Sequence, residues 1–204
     1  MDEKKYHTKD LKEQLIRKGL QLLNEVGYEQ FSIRKVASLC DVSHNAPYRH
    51  FADKEELVRA ILDQAVKDLE STLLSAVNEF KENPLAQLKK LGLNYVNFFV
   101  GNPEYLKLFF DSEMKGSVYV NGNTYTYDHA YLFGILYKCF TDYYQSIGKE
   151  MKQNSIVAIE FWSIIHGLTI FIANKKIIFL DDPEQYINEI LDRQILKLRN
   201  ECES

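Results

Sequence analysis

The chain lacks the common signatures of catalysis and cross-linking. No Gly-x-Ser-x-Gly elbow, phosphate-binding loop, His-Glu-x-x-His helix or dinucleotide-binding glycine turn occurs in its 204 residues. An enzyme would need a clustered nucleophile and base, and none is readable, so none is expected. Cysteine is scarce. Cys40, Cys139 and Cys202 are odd in number, far apart and free of any Cys-x-x-Cys spacing, which reads as reduced thiols in a cytoplasmic protein. The histidines give no metal-ligand spacing either, since His129, Cys139 and His166 stand far apart; no metal and no cofactor is expected. No apolar stretch follows Met1-Asp-Glu-Lys-Lys, so no signal peptide is expected. The longest apolar run, Ile156–Ala173, is interrupted by Glu160, Ser163, His166, Gly167 and Thr169. That content favours a buried helix over a membrane span. Internal repeats and low-complexity stretches are absent as well.

What is present is an ordinary globular balance, 46% hydrophobic and 26% charged residues, on a chain long enough to bury a sizeable core. The net charge of −4 excludes indiscriminate coating of nucleic acid, but the charge is uneven. Residues 1–54 hold ten Lys and Arg against eight Asp and Glu, and the remainder holds fifteen against twenty-one. The N-terminal end therefore suits an anionic partner. Thirteen Tyr and twelve Phe against one Trp need a thick core or a cavity to line.

The pattern reads as helices. Leu11, Leu15, Leu22, Leu23 and Val26 recur at helical spacing, and Gly27 offers a C-cap. Ser32 is placed to cap the next helix, with Phe31 and Val36 at staple spacing. Asp41-Val42-Ser43 reads as a short turn, after which a third helix is expected to run to about Phe51. Asp53 caps a long fourth helix, with Glu55 and Glu56 in its first turn. Three of the four prolines follow a capping side chain, at Asn83-Pro84, Asn102-Pro103 and Asp182-Pro183, so helices are expected to start at 84, 103 and 183. Two more are expected over about 129–147 and 154–174. One segment, 116–127, is β-branched and aromatic around Asn121-Gly122 and reads as a small hairpin or extended loop. The fold class is thus all-α: a three-helix helix-turn-helix domain at 1–54, joined by a long helix to a helical bundle at 55–204.

A helix, a tight turn and a short second helix with polar residues at its start can place those residues on base edges in a major groove, while flanking groups hold phosphates. Ser43, His44, Asn45 and Ala46 form that start. Asn45 suits adenine, His44 a guanine edge or a phosphate, and Ala46 a thymine methyl. Tyr48, Arg49, His50 and Lys54 follow as phosphate binders. Short helix pairs also occur in proteins that bind no DNA, and Tyr48 and Phe51 suit a core equally well. A helical protein-interaction module without specific DNA binding is the alternative.

The stretch Phe31-Ser-Ile-Arg-Lys-Val-Ala, followed by Asp41-Val-Ser-His-Asn-Ala-Pro-Tyr-Arg-His-Phe-Ala-Asp-Lys-Glu-Glu-Leu, resembles the DNA-binding domain of tetracycline-repressor (TetR/AcrR-type) regulators over roughly residues 10–60. Tyr95-Val-Asn-Phe-Phe, Asn102-Pro-Glu-Tyr-Leu-Lys-Leu-Phe-Phe and Trp162-Ser-Ile-Ile-His-Gly-Leu resemble the branch of that family with a Trp-His-Gly signature. The resemblance implies a homodimer, operator DNA as partner and repression relieved by a small-molecule effector. By position it implies base contacts from Ser43, His44, Asn45 and Ala46, and phosphate contacts from Ser32, Arg34, Tyr48, Arg49 and Lys54. Pro47 departs from the commonest pattern, because it removes an amide donor from the recognition helix.

In the C-terminal part the 154–174 helix is apolar almost all round, so it is expected to be buried on every side, most easily with one face on its own core and another on a second subunit. The stripe Ile187, Ile190, Leu191, Ile195 and Leu198 suits a neighbouring place in an intersubunit four-helix bundle. Tyr95, Phe98, Phe99, Phe109, Tyr131, Phe140, Tyr143, Trp162 and His166 are the candidate lining of an effector pocket. Trp162 and His166, four apart on one helix face, equally suit plain packing.

Overall fold

The computed structural model describes residues 3–103, 105–106, 109, 117–121, 124–128, 131–148 and 154–201. Among them run seven α-helices, α1 (Glu3–Gln30), α2 (Ile33–Leu39), α3 (Lys54–Glu79), α4 (Pro84–Gly101), α5 (Tyr131–Ser146), α6 (Asn154–Ala173) and α7 (Pro183–Glu201), with one short hairpin, β1 (Ser117–Asn121) and β2 (Thr124–Asp128). The chain divides into two compact units, residues 1–68 with 107–114, and residues 69–106 with 115–204.

In the first unit the capping chemistry is visible. Helix α1 is broken at Gly27, whose φ of 72° and ψ of 171° no helix contains. Helix α2 closes with a left-handed residue, Asp41 at φ 54°. The amide of Val42 donates to the Ala37 carbonyl, and that of Asp41 to Ser38, the paired bonds of a Schellman end. Ser32 stands at the α2 N-cap in extended backbone, but its side chain makes no capping bond. At α3 the cap is complete. Asp53 Oδ1 accepts from the Glu56 amide at 2.8 Å, and Glu56 Oε2 accepts from the Ala52 amide. Leu15, Phe31, Ile33, Val36, Ala37, Phe51, Leu57 and Ile61 fill the core beneath these elements. A Cβ at Gly19 would meet Ile61 Cδ1 at 2.8 Å, so glycine permits that close approach of α1 and α3.

The expected third helix over 43–51 is not an α-helix. Only Pro47–Arg49 is helical, as a 3-10 turn. Pro47 has no N–H to give the Ser43 carbonyl, so the i to i−4 ladder cannot start there. Ser43 accepts instead from Ala46 at 2.9 Å, and Ala46 from Arg49 at 3.2 Å, which is 3-10 spacing.

In the second unit α4 is central and packs against α5, α6 and α7. Asn83 caps it through Oδ1 to the Ala86 amide at 3.1 Å, and Asp182 caps α7 through Oδ1 to the Glu184 amide at 3.0 Å. Gly92 admits Leu191 and Phe161, which a Cβ would meet at 2.5 and 3.5 Å. The hairpin expected near 116–127 is present, with Ser117 paired to Asp128 and Asn121 to Thr124. Most of the helix expected from 103 lies outside the described residues.

Helix α6 is expected to be covered on one face by its own core and on another by a second subunit, and within one chain 22% of Ile156–Ala173 is buried. By length and composition this stretch could cross a membrane. Ile156, Ile164 and Phe171 lie exposed on it, and a Cβ at Gly167 would touch nothing. At about 100° per residue these four positions fall within roughly 80° of one another around the helix, so they form one stripe.

Because nothing surrounds a Cβ at Gly27, Gly27→Ala tests backbone conformation alone. It should cost about 1–3 kcal/mol of stability, as other glycine-only backbone regions do. Urea unfolding measures this, and a loss within a few tenths would show that alanine fits without strain.

Candidate nucleic-acid interface and effector site

The segment after the Asp41 turn sorts its side chains cleanly. Pro47 and Phe51 are buried, whereas Ser43, His44, Asn45, Tyr48 and Arg49 are exposed, and Ala46 and His50 are half-buried. Tyr48, which suited either a core or a surface, is 44% exposed, and Phe51 is core. From α2, Arg34 and Lys35 are exposed and Ser32 is half-buried. The structure therefore carries a polar row on top of an apolar base, all within the first unit.

Two ties hold this row. Ser38 Oγ, on α2, lies 3.2 Å from the Arg34 carbonyl oxygen and 3.3 Å from His44 Nε2. Lys54 Nζ donates to the Tyr28 carbonyl and sits 4.0 Å above the centre of the Tyr28 ring. The Tyr28 hydroxyl donates in turn to Glu55 Oε1 at 3.1 Å. Lys54 thus fastens the chain just after the Gly27 break to the start of α3, and an ammonium keeps further donors for a phosphate. Sequence reading missed Ser38 and Tyr28. An aromatic directly after a helix-breaking glycine, with Lys-Glu at a later helix start, is the signal that pointed to the second tie.

His50 behaves differently from its neighbours. Its Nε2 is buried and has no hydrogen-bond partner. Burial, then the charges of Lys12 and Arg49, lower its pKa from the ordinary imidazole value.

In the second unit a polar trio sits among rings. The Tyr95 hydroxyl and His166 Nδ1 are 2.7 Å apart. Burial pushes the Tyr95 pKa far up, offset in part by a hydrogen bond with Trp162. An indole N–H only donates, so toward Trp162 the Tyr95 oxygen is the acceptor, and the tautomer of His166 sets the direction of the 2.7 Å bond. Phe99 lies 5.1 Å from the Tyr95 ring, and Phe133 and His166 lie 5.5 and 5.7 Å from Trp162. The structure thereby brings Tyr95, Phe99, Trp162 and His166 together and adds Phe133, which shares a face of α5 with Phe140 seven residues on. Phe98 stacks on Tyr105, and Phe140 meets Phe161 edge-on. Tyr143 is buried. Phe109 falls in the segment grouped with the first unit, and the Tyr131 side chain lies outside the described residues.

His50 yields a pH dependence. Its folded-state pKa lies below its unfolded value, so the unfolded chain binds more protons as pH falls through about 6.5. The contribution is present above that pH and is lost below it. His50→Gln should flatten the fall in urea midpoint between about pH 7 and pH 5; a slope equal to that of the wild type would remove His50 as its source.

Residues 15–61 match the family model described as bacterial regulatory proteins, tetR family. The class G tetracycline repressor protein of Vibrio anguillarum is 36% identical over 84 residues, 39% of this chain and 40% of that protein. The transcriptional repressor DhaR of Mycobacterium sp. (strain GP1) is 25% identical over 79 residues, again 40% of its length. The chain thus aligns with about two fifths of these curated relatives. Solved structures share the fold over more of the chain. A protein of unknown function from Rhodococcus sp. RHA1 has a TM-score of 0.70 at 21% identity, covering 90% of this chain and 93% of that one. AibR in complex with isovaleryl coenzyme A and operator DNA has a TM-score of 0.62 at 17% identity, covering 87% and 94%. Residues 15–61 thus match the N-terminal domain of the tetR family of bacterial regulatory proteins, and the likeness over the rest of the chain is one of fold.

Proposed function

We propose that the chain is a ligand-responsive transcriptional regulator, a repressor that binds a palindromic operator as a homodimer and is released by a small, largely apolar or aromatic effector. Residues 1–54 read DNA and residues 55–204 bind effector and dimerise, in the cytoplasm. The likeness of Trp162–Leu168 to the Trp-His-Gly branch belongs to the same reading.

The observation that carries it is the exposed row Ser43, His44, Asn45, Tyr48 and Arg49 above buried Pro47 and Phe51. In this reading Ser43, His44, Asn45 and Ala46 meet base edges. Ser32, Arg34, Tyr48, Arg49, His50 and Lys54 flank the phosphates. A neighbour of the same fold, AibR, is solved with both an acyl coenzyme A thioester and operator DNA, which supports a two-ligand protein. The rings around Tyr95, Trp162 and His166 are the effector site, because few polar points in an apolar lining are what such pockets use.

Mobility shift tests this on duplexes selected from a randomised pool. Asn45→Ala should cost roughly 1–3 kcal/mol on the selected duplex and little on random DNA. Arg49→Ala should weaken both and lower the salt slope by about one unit. Equal loss on both DNAs for both variants would refute the division of roles, and no selected duplex at all would favour the interaction module. Apolar compounds that raise the melting temperature should also release the selected duplex; hits that stabilise without release would count against the effector site.

The dimer rests on the exposed stripe Ile156, Ile164, Gly167 and Phe171 of α6, with Leu196 of α7 exposed as well. Paired reading heads then sit about one DNA turn apart, roughly 34–36 Å. Light scattering at micromolar concentration should give a dimer, and Phe171→Glu a monomer that keeps its helical content. A wild-type monomer would overturn the assignment.

A further inference from the structure

Ser38 is exposed on α2, one turn beyond Arg34, and His44 is exposed just past the Asp41 turn. The serine oxygen touches two groups at nearly equal range, the Arg34 carbonyl oxygen at 3.2 Å and His44 Nε2 at 3.3 Å. A hydroxyl carries one proton, and a carbonyl oxygen only accepts. Were the proton given to His44, two oxygens would face one another at 3.2 Å with no hydrogen between them. With the proton given to Arg34, the usual back-bond of a helical serine, an Nε2–H on His44 donates to Ser38 Oγ and both contacts become hydrogen bonds.

We propose that Ser38 is a positioning residue for base recognition, which holds the His44 ring with its proton on Nε2 and leaves Nδ1 as the atom offered to DNA. This rests on the reading of Ser43–Arg49 as the DNA-facing row. In the neutral ring that Nδ1 is an acceptor. In the major groove the hydrogen donors are the exocyclic amines of cytosine and adenine, whereas guanine offers only acceptors and thymine an acceptor and a methyl group. His44 so held selects an amine-bearing base, the reverse of donation to a guanine edge.

Two measurements on the full chain test this. Nitrogen-15 imidazole spectra at about pH 8, above the ordinary range of imidazole protonation, should show His44 protonated at Nε2. Ser38→Ala should give a tautomer mixture, and Ser38→Thr, which keeps the hydroxyl, should restore the wild-type signal. On duplexes selected from a randomised pool, His44→Ala locates the base pair that His44 reads. There the wild type should prefer cytosine or adenine by roughly tenfold, Ser38→Ala should lose that preference at that pair alone, and Ser38→Thr should keep it. A proton on Nδ1 in the wild type, or unchanged preference in Ser38→Ala, overturns the proposal. Failure to select any specific duplex would strike instead at the DNA-binding reading, with the spectra still deciding the tautomer.

Discussion

The exposed polar row at residues 43–49 depends on burying two residues, Pro47 and Phe51, under a segment too short to hold its own shape. Pro47–Arg49 is a single 3-10 turn, and a turn of that length has no stability in isolation. Its position is imposed from below, where Pro47 and Phe51 share a core with Phe31, Val36 and Ala37, and from in front, where Asp41 in the left-handed region closes α2. Pro47 contributes twice. Its ring fixes φ, so less chain entropy is lost on folding, and its missing amide keeps the segment from winding into a longer helix. The exposed polar residues between and beyond these anchors inherit their placement from them.

The second unit is governed by an apolar surplus. Helix α4 is packed on three helices, with Gly92 allowing the closest approach, so its side is fully used. Helix α6 is not. Fully burying a large aliphatic or aromatic side chain contributes about 1.5–3 kcal/mol, and Ile156, Ile164 and Phe171, 48%, 36% and 52% exposed, leave part of that unclaimed in one chain. In the proposed homodimer a symmetric second copy would lay the same stripe against itself, with Gly167 leaving room for two backbones to come close. That is the economical cover in water for a helix whose composition alone would also suit a membrane.

Much of this was legible in the sequence, and the reasons differ by element. The caps at Asp53, Asn83 and Asp182 were readable because one side chain bonds an amide two or three residues away. The hairpin was readable because its strands are β-branched and aromatic around a turn. The match to the tetR family model at residues 15–61 was legible as a dense local motif. The 3-10 turn was not, although Pro47 is in plain view, because periodicity counts apolar positions and not amide donors. Nor was the choice of residues on the open face of α6. Ile164 and Ile165 are adjacent and chemically alike, yet one is exposed and the other buried, since each step turns a helix by about 100°. The ties of Ser38 to His44 and of Lys54 to Tyr28 join residues whose spacing has no helical meaning, so only the fold reveals them.

The Trp162–Tyr95–His166 trio bears on what kind of effector this protein would take. The phenol oxygen of Tyr95 stands 2.7 Å from His166 Nδ1 and is hydrogen-bonded to Trp162 as well. A polar ligand that entered here would have to replace one of these bonds, and each is worth about 0.5–1.5 kcal/mol net. A flat apolar group sliding among Phe99, Phe133 and Trp162 would leave the bonds intact and gain ring contact instead. If effector binds here as proposed, the trio would disfavour strongly polar compounds, and it ties α4 to α6. Tight binding alone would still not release DNA, because a ligand shifts a conformational balance only by its preference for one state over the other. An effector that leaves the α4–α6 tie unbroken must draw that preference from how far apart the rings stand, which makes ligand bulk the property that separates an inducer from a silent binder.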